Sequence, residues 1–131
     1  MWQLAIGLGL GLIWAGLGHL LMPDVVAESI GWPTGSPFQR EVGMWDVALG
    51  IVGVLCLVFR DEGFFTATII GTGIFYVSAG LGHVYELIVH GDTAAFNAGA
   101  VMYIDLFYPV VLAALLILYH SKKSEAERRL G

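Results

Sequence analysis

The sequence has few charged residues and a single cysteine. Asp, Glu, Lys and Arg make up only 13% of its 131 residues, about half of the roughly 25% that is usual in soluble domains. Because 57% of the residues are hydrophobic and the mean hydropathy is +0.78, a water-soluble globule of this length could not cover its apolar surface. The lone Cys56 excludes an internal disulfide and any Cys-x-x-Cys redox or zinc motif. We therefore expect an integral membrane protein.

Basic residues are also scarce, since Lys and Arg together number six. With so few basic residues, most of them near the C-terminus, we expect no nucleic-acid partner. Arg60 lies in a short turn on the same predicted side of the membrane as the C-terminal tail, and only Arg40 lies on the opposite side. Positively charged loops face the cytoplasm, so we expect a multi-pass protein of the cell inner (plasma) membrane with both termini cytoplasmic. The basic residues of the tail are Lys122, Lys123, Arg128 and Arg129.

Long apolar segments are present in place of these charges. Each of four segments is long enough to cross, or nearly cross, the ~30 Å hydrocarbon core of a bilayer. The first segment follows no Lys or Arg and precedes no clear cleavage site, so we interpret it as a retained helix rather than a signal peptide. The sequence thus predicts one transmembrane domain over residues 1–131, an all-α four-helix bundle, with 120–131 as a basic cytoplasmic tail. The predicted helices are 2–22, 41–59, 64–89 and 98–119.

An internal repeat divides the chain into two halves. The five residues from Ala15 to His19 recur letter for letter from Ala79 to His83, sixty-four positions later. We interpret the bundle as two tandem helical hairpins, each built around one copy and related by an axis near the membrane normal. Gly7, Gly11 and Ala15 precede His19 at a spacing of four, which predicts a stripe of small residues facing a neighbouring helix.

Ionisable residues inside the predicted spans form a second pattern. All four helices contribute, and the predicted topology places every one of these groups in the outer half of the bilayer. Such residues cost about 2.5–3.5 kcal/mol each at mid-membrane on insertion scales and usually face the bundle interior. The candidate metal ligands are His19, Glu41, Asp46, His83, Glu86 and Asp105. The candidate cofactor-binding residues are His19, Asp46, His83, Glu86 and Asp105.

Three interpretations of this polar layer remain open. Imidazole and carboxylate ligands on four helices suit a divalent iron, zinc or manganese ion. The layer could instead hold a quinone or another lipophilic molecule, with His and Asp as hydrogen-bond partners. In the third interpretation, His19 and His83 each pair with an acid and only fix helix packing, as buried polar pairs do in some proteins.

The first half of the chain also resembles a known family. The residues 15–20, the following Pro23 and the segment 43–50 are similar to the DoxX-like superfamily of small four-helix membrane proteins. Members typically carry a His or Lys near the outer end of helix 1 and an acidic residue before a Leu-Gly pair in helix 2, which correspond here to His19 and Asp46. The segment 38–43 and the second repeat with Glu86 resemble instead an uncharacterised set of short bacterial four-helix membrane proteins.

The DoxX-like resemblance implies a role in redox biology. Some relatives are small subunits of quinone-linked oxidoreductases or parts of membrane redox-defence complexes. We therefore expect the bilayer, a larger membrane redox complex or a second copy of this chain as partners. The sequence leaves open whether the protein is an enzyme. Because the sequence shows no nucleophile–base pair or cofactor motif, an accessory subunit is favoured. The alternative is a structural or assembly protein whose polar layer binds nothing.

Overall fold

The structure is a computed structural model that describes residues 2–130, so the terminal Met1 and Gly131 of the predicted domain lie outside the described residues. Within residues 2–130 the chain is all-helical, with five helices and no strand. The all-α class is thereby confirmed. The helices are α1 (Gln3–Leu21), α2 (Pro23–Ile30), α3 (Phe38–Leu55), α4 (Glu62–His90) and α5 (Ala100–Leu130).

Three of these helices are long and apolar enough to cross a membrane, namely α1, α4 and α5. Helix α3 corresponds to the second predicted span and differs from the others in charge. Its 18 residues cover about 27 Å at 1.5 Å per residue, but they include Arg40, Glu41 and Asp46. These charges, rather than the length of the helix, set α3 apart.

The first connection contains a helix that the sequence analysis treated as loop. Helix α1 ends at Leu21, and Pro23 occupies the first turn of α2, where its missing N–H costs no hydrogen bond. Ala27 and Ile30 of α2 are buried while Asp24 is exposed, so α2 is amphipathic. Its last residue is Ile30, and Gly31 caps it with a φ of +87°, the left-handed conformation that glycine adopts readily at a helix C-terminus.

The long helices pack in two pairs, α1 against α3 and α4 against α5. The first pair approaches closely through glycines. A Cβ atom added at Gly16 would lie 2.6 Å from the carbonyl oxygen of Gly43, and one added at Gly50 would lie 2.7 Å from the carbonyl oxygen of Gly9. Each helix therefore contributes two glycines seven residues apart, about two helical turns, and the backbones touch.

This contact corrects the predicted small-residue stripe. Gly11 has open space where its Cβ would be, and Gly7 faces the hydroxyl of Tyr108 on α5. Ala15 lines a cavity instead. The residues spaced by four share one face of α1, but a different face, which carries Gly9 and Gly16, meets α3.

A hydrophobic cluster joins the two helix pairs. Its buried members come from α1, α4, α5 and the end of α3, and they lie towards the N-terminus of α1. The cluster consists of Leu4, Leu8, Leu12, Cys56, Ile69 and Leu112.

Helix α5 continues without interruption past Pro109 and through the predicted tail as far as Leu130.

Candidate functional site

The repeated five residues have the same structural role in both copies. The alanine and the histidine of each copy line one shared cavity. The first glycine packs on the paired helix: a Cβ at Gly16 would meet α3, and one at Gly80 would lie 2.8 Å from Leu106 of α5. The leucine points away from the protein, with Leu17 41% and Leu81 58% exposed. The repeat is thus one helical turn that presents a histidine to the cavity while its glycine holds the neighbouring helix close.

The first histidine lies between an amide and a carboxylate. His19 Nδ1 is 2.6 Å from Oε1 of Gln39, and His19 Nε2 is 4.0 Å from Oδ2 of Asp46. Gln39 and Asp46 both belong to α3 and are buried, at 1% and 4% exposure. These three residues form the first unit of the site.

The second histidine has the same arrangement. His83 Nδ1 is 2.8 Å from Oδ1 of Asn97, and His83 Nε2 is 3.7 Å from Oδ2 of Asp105. Asn97 lies three residues before α5 and Asp105 lies within it, and all three side chains are buried. These residues form the second unit, so the structure pairs Asp46 with His19 and Asp105 with His83.

Neither His–Asp contact is a direct hydrogen bond. Separations of 3.7 and 4.0 Å exceed the 2.7–3.2 Å that is typical of such bonds. Each imidazole Nε2 and each facing carboxylate oxygen therefore keeps hydrogen-bonding capacity for a third group. Both units direct that capacity to the same cavity.

The cavity between the units has a volume of about 400 Å³, within the roughly 300–1,000 Å³ of small-molecule sites. Its walls are mainly apolar and aromatic. Trp32, from the first connection, stacks on the ring of His83 with centroids 6.2 Å apart, and Phe38 lies against Trp32 at 5.6 Å. Apolar and small residues complete the lining: Leu12, Ala15, Ile30, Val42, Phe75, Tyr76, Ser78, Ala79, Gly82 and Val101.

Two of the predicted site residues lie elsewhere. Glu41 is exposed at the start of α3 and does not line the cavity. Glu86 Oε2 lies 2.6 Å from Nδ1 of His90 and borders a separate, more open cavity beyond Trp32 and Phe38. Among residues 2–130, no group of three His, Cys, Asp or Glu side chains is placed to hold a metal ion. The six predicted groups therefore divide into two His–Asp pairs and two separate glutamates.

The sequence analysis missed Gln39 and Asn97. A signal was present for Gln39, which precedes Asp46 by seven residues. Seven residues are about two helical turns, so the amide and the acid share a face of α3. Asn97 precedes Asp105 by eight residues but lies before the first residue of α5, so helical spacing does not point to it.

Together the fold and the site define a small helical protein with membrane-length helices and an internal cavity between two His–Asp pairs. The chain belongs to a family of unknown function, DUF6790, whose model matches residues 1–125. The match includes both units of the site. No curated protein and no solved structure matches the sequence.

Proposed function

We propose that this protein is a four-helix membrane protein that binds a quinone-class molecule in the cavity between its two His–Asp pairs. The observation that carries the proposal is the presence of two similar polar units in one largely apolar cavity. A quinone or quinol ring carries an oxygen at each end, so one unit can bind each oxygen. Such molecules also partition into the bilayer, which surrounds the cavity in this arrangement.

The outward face of α3 supports a fourth span. Met44, Trp45 and Ile51 are 67%, 53% and 49% exposed, and an apolar exposed face on this scale is suited to lipid rather than to water. The buried Asp46 faces the cavity, while Arg40 and Glu41 are at the helix start where headgroups can solvate them. Helices α1, α3, α4 and α5 then form the predicted two hairpins, with α2 at the outer surface.

The lining of the cavity supports an organic ligand more directly than a metal ion. Each unit offers one imidazole and one carboxylate, whereas zinc sites usually have at least three protein ligands. Glu41 and Glu86, which the sequence also offers as candidate metal ligands, lie away from the pairs. An iron, zinc or manganese site would need both units to converge on one ion across the cavity.

The binding test uses the detergent-purified protein and decylubiquinone, a short-chain ubiquinone analogue. Trp32 lines the cavity, so we expect saturable quenching of its fluorescence, absent in Trp32→Phe. His83→Ala should weaken binding at least about tenfold, because one hydrogen-bonding unit is lost. His90→Ala is the matched control, since His90 is exposed and outside the cavity. Equal affinity of the wild type, His83→Ala and His90→Ala for decylubiquinone would favour the structural interpretation, in which the His–Asp pairs only fix helix packing.

Elemental analysis tests the metal alternative on the same preparation. Near-stoichiometric iron, zinc or manganese in the wild type, lost from a folded His19→Ala/His83→Ala double variant, would overturn the quinone proposal in favour of a metal site. Metal-free protein that still binds decylubiquinone would support the quinone.

We further propose that the protein acts as an accessory subunit of a membrane redox complex, as its resemblance to DoxX-like proteins implies, with both termini cytoplasmic. Topology is tested with single cysteines in a Cys56→Ala background. A membrane-impermeant maleimide should label Ser36→Cys in intact spheroplasts and should label Ser124→Cys only after lysis. The reverse pattern would invert the proposed orientation.

A further inference from the structure

We infer that Gln39 and Asn97 are positioning residues that keep Nδ1 of the two cavity histidines protonated. Each histidine then presents an unprotonated Nε2 to the ligand, and the site selects the quinol over the quinone. The part of this inference that concerns the ligand rests on the proposed function. The part that concerns the histidines rests on hydrogen bonds within the protein alone.

The orientation of the Asn97 amide is fixed by its other partners. Its Nδ2 group donates to the backbone carbonyl of Asp92 at 2.9 Å and to that of His83 at 3.3 Å. Both acceptors are oxygens, so the amide nitrogen must face them and Oδ1 must face the imidazole. Since Oδ1 can only accept, Nδ1 of His83 at 2.8 Å is the donor. In a neutral imidazole, the other ring nitrogen is then an acceptor.

Gln39 makes the corresponding contact to His19. The Oε1···Nδ1 distance is 2.6 Å, and Gln39 is 1% exposed. With Oε1 facing the ring, Nδ1 of His19 is the donor; the Asn97 amide, whose nitrogen has two acceptors of its own, carries the argument for this orientation. Both units therefore turn the same ring nitrogen, Nε2, towards an aspartate and the cavity.

Two acceptor nitrogens in one cavity discriminate between the two redox forms of a quinone. The oxidised form has only acceptor oxygens and cannot donate to Nε2. The reduced form has two hydroxyl groups, so each can donate to one imidazole. A site built to bind a hydroxyl rejects analogues that lack it, because its own polar groups are left unpaired. The positioning amides therefore add a preference for the reduced form to the contacts that the Asp46 and Asp105 carboxyl groups can make with either form.

The tautomers are tested by NMR of detergent-solubilised, ligand-free protein labelled with [¹⁵N]histidine, with His83 assigned by the His83→Gln variant. We expect His83 to show a protonated Nδ1 and an unprotonated Nε2. Asn97→Leu removes the acceptor and should move population towards the Nε2-protonated form, whereas the control His90→Ala, which alters a residue outside the cavity, should leave the His83 tautomer unchanged. A wild-type His83 protonated on Nε2, alone or together with Nδ1, would overturn the positioning role. Gln39→Leu gives an independent test at His19 should Asn97→Leu fail to fold.

Selection is tested by titrating decylubiquinol anaerobically and decylubiquinone separately. We expect the quinol to bind about tenfold more tightly for each hydroxyl–imidazole bond, and Asn97→Leu to lose part of this preference while His90→Ala keeps it. Equal binding of both forms to the wild type would refute selection. If neither form binds while the tautomers are as expected, the proposed function fails and the positioning of the imidazoles stands. If the ligands bind but the tautomers differ, the proposed function stands and the positioning fails.

Discussion

The glycine contact between α1 and α3 gives the most direct test of how the first His–Asp pair is held. In Gly16→Ala, the new methyl group would lie 2.6 Å from the carbonyl oxygen of Gly43 and 2.9 Å from the backbone nitrogen of Val47. Ordinary contacts of this kind begin at about 3.4 Å, so the two helices must separate by several tenths of an ångström. Overpacking of this kind costs about 1–3 kcal/mol.

Gly11→Ala is the matched control, because nothing lies within 4 Å of its added Cβ. In a helix interior, this change removes the ~0.5–1 kcal/mol disadvantage of glycine relative to alanine. The free energy of unfolding is measured by SDS titration in mixed micelles, followed by far-UV circular dichroism. We expect Gly16→Ala to fall below the wild type and Gly11→Ala to match or exceed it. Equal stability of the two variants would refute the close approach of α1 and α3.

Three further predictions concern other parts of the chain. Leu112→Ala should lower the free energy of unfolding in the same SDS titration by about 2–4 kcal/mol, because Leu112 is 1% exposed in the cluster that joins the helix pairs. Leu115→Ala is the control: its site is 44% exposed, so the free energy of unfolding should change by less than about 0.5 kcal/mol. Glu62→Gln should speed trypsin cleavage at Lys123, because the Lys123 ammonium donates to the Glu62 carboxylate; an unchanged digestion rate would show that this contact does not hold the tail. The Cys56 thiol, which is fully buried, should react with maleimide far more slowly in native micelles than after SDS unfolding.

The hydrophobic segments made the helical class predictable. Helix α2 was missed for a physical reason. Its eight residues are too short for a reliable periodic signal, and Pro23 and Gly31 at its ends are equally typical of a loop. The helix forms because Ala27 and Ile30 have an apolar surface to cover, and that surface exists only once the long helices have assembled.

Helical geometry alone makes one part of the site predictable, namely that Glu41 and Asp46 point in different directions. Asp46 follows Glu41 by five positions on α3, which rotates one side chain about 140° from the other, so both could not face one cavity. Glu86 begins a π-helical turn and contacts His90 on that turn. The amides escaped notice because they are uncharged, and their importance appears only through the imidazoles that they contact.

The unequal lengths of the two halves have a consequence for the shape of the cavity. Asp46 follows His19 by twenty-seven positions, but Asp105 follows His83 by only twenty-two. A single hairpin with one His–amide–Asp unit could build the same cavity by pairing with an identical copy, but every loop would then occur twice. Joining two hairpins in one chain allows one connection to lengthen independently, and here the longer one supplies Trp32, which covers the histidine of the opposite half. The longer connection thus gives the cavity a distinct front and back.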